Sequence, residues 1–238
     1  MSALLRYQAT ILARSYRWIV PLVVYALLVA VGDEGATQLA SGLDWSAAML
    51  VPAVALLTRS ALTAEPDAAR AVVAAAAGPR RAQVAALIAA LGFGAVLALA
   101  GAAFEVLLGE SVAARPAGGV AGNVAATAGH PATLLAGLAT AVVCLLVGSA
   151  AGALCNPPLL RHPGAALLST LTAVVIALVA DVSPAAAALR TPVPSTYAAP
   201  PPHWPGLVPL LAALALAGAT WSLSAWVAAR RDAHASAA

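Results

Sequence analysis

The stretch "AQVAALIAALGFGAVLALAGAAF", residues 82–104, contains no charged side chain. It is longer than the roughly 20 apolar residues that an α-helix needs to cross a hydrocarbon core of about 30 Å. The whole chain has the same character, because 62% of its 238 residues are hydrophobic and only 9% are charged, with a mean hydropathy of +0.92. A water-soluble globule needs far more polar surface, so the composition predicts a protein that lies in a lipid bilayer.

Six apolar runs are candidate transmembrane helices: about 18–32, 43–62, 82–104, 132–155, 164–182 and 206–228. The runs are continuous, whereas the strands of a membrane β-barrel are short and alternate between apolar and polar residues. The predicted fold class is therefore all-α, a polytopic membrane protein with one domain over residues 1–238. The first run is short enough to be the apolar part of a signal peptide, but no A-x-A-like cleavage site follows it. We interpret it as a span.

The arginines predict the orientation of these spans. All 12 basic residues are arginine, and six spans place only Arg115 and Arg190 on one side of the membrane. The opposite, arginine-rich side is cytoplasmic by the positive-inside rule, which places the N-terminus and the C-terminus in the cytoplasm of a plasma-membrane protein. The net charge of +3 then reflects topology and is no argument for a nucleic-acid partner. The ten cytoplasmic arginines are Arg6, Arg14, Arg17, Arg59, Arg70, Arg80, Arg81, Arg161, Arg230 and Arg231.

Several kinds of chemistry are disfavoured by the composition. The chain has no lysine, so it cannot form a P-loop, and any ATP must be bound by another polypeptide. The four histidines are scattered without the spacing of a zinc site. Cys144 and Cys155 lie about 16 Å apart along one predicted helix, which is too far for a disulfide. We therefore predict no catalytic residue, no cofactor and no metal site, and we interpret both cysteines as packing residues.

The predicted spans carry no ionisable residue near a midpoint. Arg59, Glu105 and Asp181 lie at span ends, where we expect them in the interfacial region, and ion-coupled transport is disfavoured because it needs buried charges. Hydroxyl side chains within the spans suit an amphipathic or hydrophobic substrate if they line a pore, although each can instead bond to its own helix backbone. These hydroxyls belong to Thr140, Ser169, Thr170, Thr172, Ser222 and Ser224.

Gly148 and Gly152 form a GxxxG pair within the fourth predicted span. Such a pair allows two helices to approach closely. Because the chain has 18 glycines, we favour packing within one chain over a dedicated dimer contact.

The N-terminal segment has an amphipathic pattern. At about 100° per residue, Arg6, Arg14 and Arg17 lie opposite an apolar arc. This predicts a helix that lies in the membrane surface, with its arginines near anionic headgroups; the alternative is a first span that begins early. The apolar arc consists of Leu4, Leu5, Ile11, Leu12, Trp18 and Ile19.

The segment "TAEPDAARAVVAAAAGPRRAQ", residues 63–83, is one of the few charged stretches. Pro66 suits the first turn of a helix, Gly78 suits its C-terminal cap, and Pro79 prevents its continuation. Glu65 and Asp67 are favourable at the positive end of the helix dipole. The pattern predicts a helix from Pro66 to Ala77 on the cytoplasmic side between the second and third spans. It is either a docking element for a partner or an ordinary loop helix packed on its own bundle.

With this segment the chain resembles the type-2 ATP-binding-cassette transporter permeases. The resemblance rests on "RSALTAEPDAARAVVAAAAGPRRAQVAALIAAL", residues 59–91, on the six predicted spans and on the amphipathic N-terminal helix. In that family the segment between the second and third spans is the coupling helix that docks on a nucleotide-binding subunit. The family also places re-entrant or outer-gate structure where this chain has its proline-rich segment 183–205.

The resemblance implies an exporter subunit that works with a separate ATP-hydrolysing subunit and with a second permease chain. ATP binding would close the ATPase subunits, and the coupling helix would carry that motion into the spans, with Pro52 as a point where the second span could bend. The alternative is a membrane scaffold or assembly protein without an ATPase partner. The implied contact to the ATPase subunit consists of Glu65, Asp67, Arg70, Val72, Val73, Arg80 and Arg81.

Overall fold

A computed structural model of the protein describes residues 2–33, 39–113, 131–155, 163–180, 182–189 and 206–235. Every regular element in these ranges is a helix, and they contain no strand, which confirms the all-α class. Each of the six apolar runs coincides with a helix. The helices are α1 (Ser2–Arg14), α2 (Ile19–Asp33), α3 (Leu39–Thr63), α4 (Asp67–Ala77), α5 (Pro79–Ala113), α6 (Pro131–Leu154), α7 (Pro163–Val179), α8 (Pro184–Leu189) and α9 (Leu207–Ala235).

The centre of the bundle is the pair α3 and α6. These two helices share the most extensive contact in the described part of the chain, and α5 packs next most extensively on α3. The share of the apolar part of the helix that is buried inside the protein is 72% for α6 and 22% for α9. The apolar surface of α9 is therefore left to face lipid or another chain.

Gly148 and Gly152 explain why α3 and α6 approach so closely. A Cβ atom on Gly148 would lie 2.7 Å from the Val51 carbonyl oxygen, and one on Gly152 would lie 2.7 Å from the Ala55 carbonyl oxygen. Both distances are well inside van der Waals contact, so only glycine fits at these two positions. The prediction that this pair packs within one chain is confirmed.

Four of the helices are long and apolar enough to cross a membrane: Gly42–Thr63, Pro79–Leu107, Thr133–Leu154 and Leu207–Arg230. A fifth span results if α1 and α2, which meet at an angle of 70°, are counted as one. Helices α2 and α7 have only 15 and 17 residues, fewer than the roughly 20 that cross a typical bilayer. The described residues therefore support a membrane protein with four to five spans, and the predicted count of six is not confirmed.

The N-terminal amphipathic pattern is divided between two helices. Helix α1 ends at Arg14, the chain turns where Tyr16 has a φ of 54°, and Ile19 already belongs to α2. Leu12, on the predicted apolar arc, is 1% exposed and packs with residues of α3 and α5. Part of the face that the sequence assigns to lipid is thus covered by the protein itself, while Arg6 and Arg14 are exposed as predicted.

The end of the short fourth helix follows from its local sequence. Pro66 immediately precedes α4, one position before the predicted start, and the Gly78 amide donates to the Ala74 carbonyl oxygen at 2.9 Å. Gly78 has a φ of 85°, which a residue with a Cβ rarely adopts. Because Pro79 follows directly, α5 starts without a connecting loop, and its first turn lies beside the end of α4.

Glu105 lies near the end of the third span and is buried between helices. Helix α5 continues past the predicted end of the span to Ala113, and Glu105 is only 4% exposed. Its carboxylate lies where a side chain on Gly42 of α3 would be, and the hydroxyl of Tyr25 lies against Gly101 one turn earlier. The two glycines make room for these polar groups between α2, α3 and α5.

Two other sequence expectations fall partly outside the described residues. Asp181 and residues 190–205 are not described, whereas Pro184–Leu189 of the proline-rich segment forms the short helix α8. Ala185, Ala186 and Ala188 of this helix are buried, and α8 packs against α6 and α9. Pro52 lies inside α3.

Candidate functional site

The connection between α3 and α4 is held by α1 through a buried carboxylate. Glu65 is 7% exposed and accepts hydrogen bonds from the Tyr7 hydroxyl at 3.0 Å and from Gln8 Nε2 at 3.3 Å. Desolvation, and then the hydrogen bond to Glu65, raises the pKa of Tyr7 above its ordinary value. Tyr7 therefore stays protonated, and remains a donor, at neutral pH. A buried carboxylate needs such donors, so Glu65 fastens the connection to α1.

A second link joins the segment after α1 to the end of α3. Arg17 Nη1 donates to the Thr63 carbonyl oxygen at 2.5 Å and to Thr63 Oγ1 at 3.2 Å. In the other direction, the Ser60 hydroxyl donates to the Arg17 carbonyl oxygen at 3.4 Å. Together with Glu65, these contacts hold the last turn of α3 from two points of the N-terminal segment.

Arg70 is turned back toward the same turn. Its Nη2 donates to the Leu62 carbonyl oxygen at 2.5 Å and to the Glu65 carbonyl oxygen at 3.5 Å. The last carbonyls of a helix have no partner within the helix, and a basic side chain near that end satisfies them. Arg70 thus caps α3 from α4 and fixes how the two helices meet.

The outward face of α4 is apolar. The exposed residues follow the spacing of one helical face, and the largest of them, Val72, is 69% exposed. Val73 and Arg70, on the other side of the helix, are half-buried. We call the exposed face the α4 stripe: Ala68, Ala71, Val72, Ala75 and Ala76. An apolar helix face that the described part of the chain leaves uncovered is suited to contact another molecule.

The first turn of α5 carries the remaining predicted contact residues. Arg80 and Arg81 are exposed, and with Ala229 of α9 they border a shallow cleft of about 480 Å³. The structure therefore separates the implied contact surface into three parts: inward-facing Glu65 and Arg70, the outward-facing α4 stripe, and the arginine pair. The side chain of Asp67 is not described.

Tyr7, Gln8, Arg17 and Thr63 were missed by the sequence interpretation. Their partners lie 46 to 58 positions away along the chain, and nothing in the local pattern pairs such distant residues. One signal was present: Gln8 is a polar residue between Leu5 and Leu12 on the apolar side of α1. A polar group at such a position needs a partner when the face is buried.

The six span hydroxyl groups that the sequence singled out bond to their own helices. Each donates to a carbonyl oxygen three or four residues earlier, as in Thr140 to Ala136 at 3.1 Å and Thr172 to Leu168 at 2.9 Å. The same holds for Ser169, Thr170, Ser222 and Ser224. Of the two interpretations left open by the sequence, the structure supports backbone bonding.

Other reactive groups are not brought together in the part of the chain that the structure describes. Cys144 and Cys155 are both free and buried. Across the described ranges there is no group of three or more His, Cys, Asp or Glu side chains that could hold a metal ion. What the site offers is a mechanical connection: α4 packs on α5, Arg70 ties α4 to the end of α3, and Glu65 ties the α3–α4 connection to α1.

Replacing Glu65 by alanine is expected to loosen α1. The buried Gln8 amide and the Tyr7 hydroxyl lose their acceptor, and hydrogen bonds to a charged group contribute about 1.5–3 kcal/mol. Hydrogen–deuterium exchange should show faster exchange of the α1 amides in Glu65→Ala, with less change in Glu65→Gln, which keeps an acceptor oxygen. Unchanged exchange in Glu65→Ala would show that the carboxylate does not hold α1.

No protein-family profile matches this chain, and neither the curated proteins nor the solved structures give a match.

Proposed function

We propose that this chain is the membrane permease subunit of an ATP-binding-cassette exporter. It pairs with a second permease chain, and a separate ATPase subunit hydrolyses the ATP. The observation that carries this proposal is the α4 stripe, an uncovered apolar face on a short helix between two membrane-spanning helices. A helix in that place is in position to receive motion from a partner and to pass it to α3 and α5.

The contacts around α4 support a coupling role. Helix α4 follows α3 after three residues and is separated from α5 by Gly78, and the Arg70 side chain bonds to the last turn of α3. Glu65 and Arg17 connect the same turn to the N-terminal segment. Displacement of α4 by a partner would therefore move α1, α3 and α5 together. We propose an amphipathic or hydrophobic substrate, because the predicted spans are apolar and carry no ionisable residue near a midpoint.

The proposed topology has six spans in the plasma membrane, with α2 and α7 as short ones. The arginine distribution favours this count, because six spans place ten of the twelve arginines on the cytoplasmic side. A short span is accommodated by local thinning of the bilayer. The 70° angle between α1 and α2 is consistent with a helix at the cytoplasmic membrane surface that leads into a span.

The topology can be tested with single cysteines in a Cys144→Ala, Cys155→Ala background. A cysteine at Ser41 or Gly119 should react with a membrane-impermeant thiol reagent added to intact cells, whereas a cysteine at Ala68 should react only after permeabilisation. The reason is that six spans place the first two positions outside and α4 inside. Labelling of Ala68→Cys in intact cells would contradict the proposed orientation.

Measurement of ATP hydrolysis tests the proposal most directly. The purified chain alone should hydrolyse no ATP, because it has no lysine for a P-loop. Co-expression with an ATPase subunit encoded beside it should give a complex whose ATP hydrolysis is lost when the P-loop lysine of that subunit is replaced. Turnover by the isolated chain, with contaminants excluded by mass spectrometry, would contradict the proposal. Failure to form any such complex would favour the scaffold function.

A further inference from the structure

The cleft beside the first turn of α5 has a mixed lining. Its walls come from the junction of α4 and α5 on one side and from the last turns of α9 on the other, and its volume is about 480 Å³. Small side chains leave it open, and among the described residues that line it the charged groups are the guanidinium groups of Arg80 and Arg81. The lining residues are Ala77, Gly78, Pro79, Arg80, Arg81 and Ala229.

The depth of the cleft is set by the two helices that border it. The apolar span of α5 begins at Pro79, and the apolar span of α9 ends at Arg230. A cleft between Arg81 and Ala229 therefore lies where the hydrocarbon core gives way to the headgroup layer. Trp226, one turn before Arg230, agrees with this depth, because tryptophan is enriched at the membrane interface.

The described charged side chains at this depth are arginines. Arg80 and Arg81 are exposed, and neither makes a hydrogen bond or an ion pair with the described residues. Arg230 is also exposed and stacks on the Trp226 ring, with 3.9 Å between its Cζ and the ring centroid. Guanidinium groups bind phosphate oxygens in a bidentate manner, so this arrangement suits a phosphate group.

We propose that the cleft binds the headgroup phosphate of an anionic phospholipid. A lipid is the occupant that fits both the charge and the depth, because the cleft lies where the apolar parts of α5 and α9 meet the headgroup layer. Trp226 and Leu223, which precede Ala229 on α9, are 42% and 43% exposed and offer apolar surface to lipid on the same helix. A soluble phosphate has no apolar part that could contact this surface. The α4 stripe, in contrast, carries no charge and is left to the protein partner. The lipid site needs neither the ATPase nor the permease role.

Native mass spectrometry of the purified full-length chain tests this inference. The protein is released from micelles that contain equal amounts of phosphatidylglycerol and phosphatidylcholine with the same acyl chains. We expect one phosphatidylglycerol per chain to be retained preferentially. The Arg80→Gln, Arg81→Gln variant should retain it about 30-fold less, since each basic residue at a membrane surface contributes about 1 kcal/mol to binding an anionic lipid.

The control is the Arg6→Gln, Arg14→Gln variant, which removes the same charge from exposed positions on α1. It should retain clearly more phosphatidylglycerol than Arg80→Gln, Arg81→Gln. Arg80→Lys, Arg81→Lys should fall between that variant and the unchanged protein, because lysine keeps the charge but cannot bind phosphate in a bidentate manner. Equal losses in the α1 and α5 variants would show general attraction to anionic micelles and overturn the site. Full retention of phosphatidylglycerol by Arg80→Gln, Arg81→Gln would also overturn the site. If that variant keeps the lipid but no longer co-purifies with an ATPase subunit, the arginine pair belongs to the protein contact. Addition of 10-fold more inorganic phosphate than lipid should leave the adduct in place, and its displacement would assign the cleft to free phosphate.

Discussion

Valine in place of Gly148 is expected to prevent stable folding of the bundle. The first added carbon would already lie 2.7 Å from the Val51 carbonyl oxygen and 3.2 Å from the Val51 Cα, and these are backbone atoms that cannot rotate away. Helices α3 and α6 would have to separate along their whole contact, which is the most extensive one described. Overpacking of a core costs about 1–3 kcal/mol, and we expect a loss at or above the upper end of this range.

Unfolding of the purified protein in mixed micelles, by titration with sodium dodecyl sulfate, measures this loss. Gly218→Val is the matched control, because Gly218 also lies in a spanning helix but a Cβ there meets nothing within 4 Å. Gly148→Ala should fall between the unchanged protein and Gly148→Val. Equal midpoints for Gly148→Val and Gly218→Val would contradict the close approach of α3 and α6.

Aspartate in place of Val72 is expected to abolish association with the ATPase subunit while the protein still inserts in the membrane. Val72 is the largest side chain of the α4 stripe and is 69% exposed, so the substitution strains nothing in the isolated chain. In a desolvated contact an unpaired charge costs several kcal/mol, and each 1.4 kcal/mol corresponds to about a tenfold loss of affinity. We expect normal membrane levels, loss of co-purification and loss of ATP hydrolysis by the complex.

Val72→Thr is the control for this experiment, because it keeps the size and shape of the side chain and adds no charge. It should retain the ATPase subunit. If Val72→Asp also retains the subunit and its ATP hydrolysis at normal expression, the α4 stripe is not the docking surface. The proposal of a coupling role for α4 would then fail, and the scaffold function would gain support.

The sequence determined those features that depend on neighbours along the chain. Hydropathy located the helices because crossing a bilayer requires a continuous run of apolar residues, and this requirement can be read without knowing any partner. The limits of α4 were predicted almost to the residue for a similar reason: Pro66 favours a helix start, and Gly78 followed by Pro79 ends the helix locally. The small size of Gly148 and Gly152 indicated that another helix comes close.

Only the tertiary structure decided which helix covers which face. The pattern of α1 showed that Leu12 lies on an apolar side, but that side meets α3 and α5 rather than lipid alone. Glu65, one of the implied partner-contact residues, accepts hydrogen bonds from Tyr7 and Gln8 of α1, and Glu105, near the end of its span, is buried against Gly42 of α3. These outcomes depend on residues far apart in the chain. The helical periodicity of a sequence predicts which side chains share a face. Whether those side chains are buried, and which residues they contact, depends on how the helices pack together.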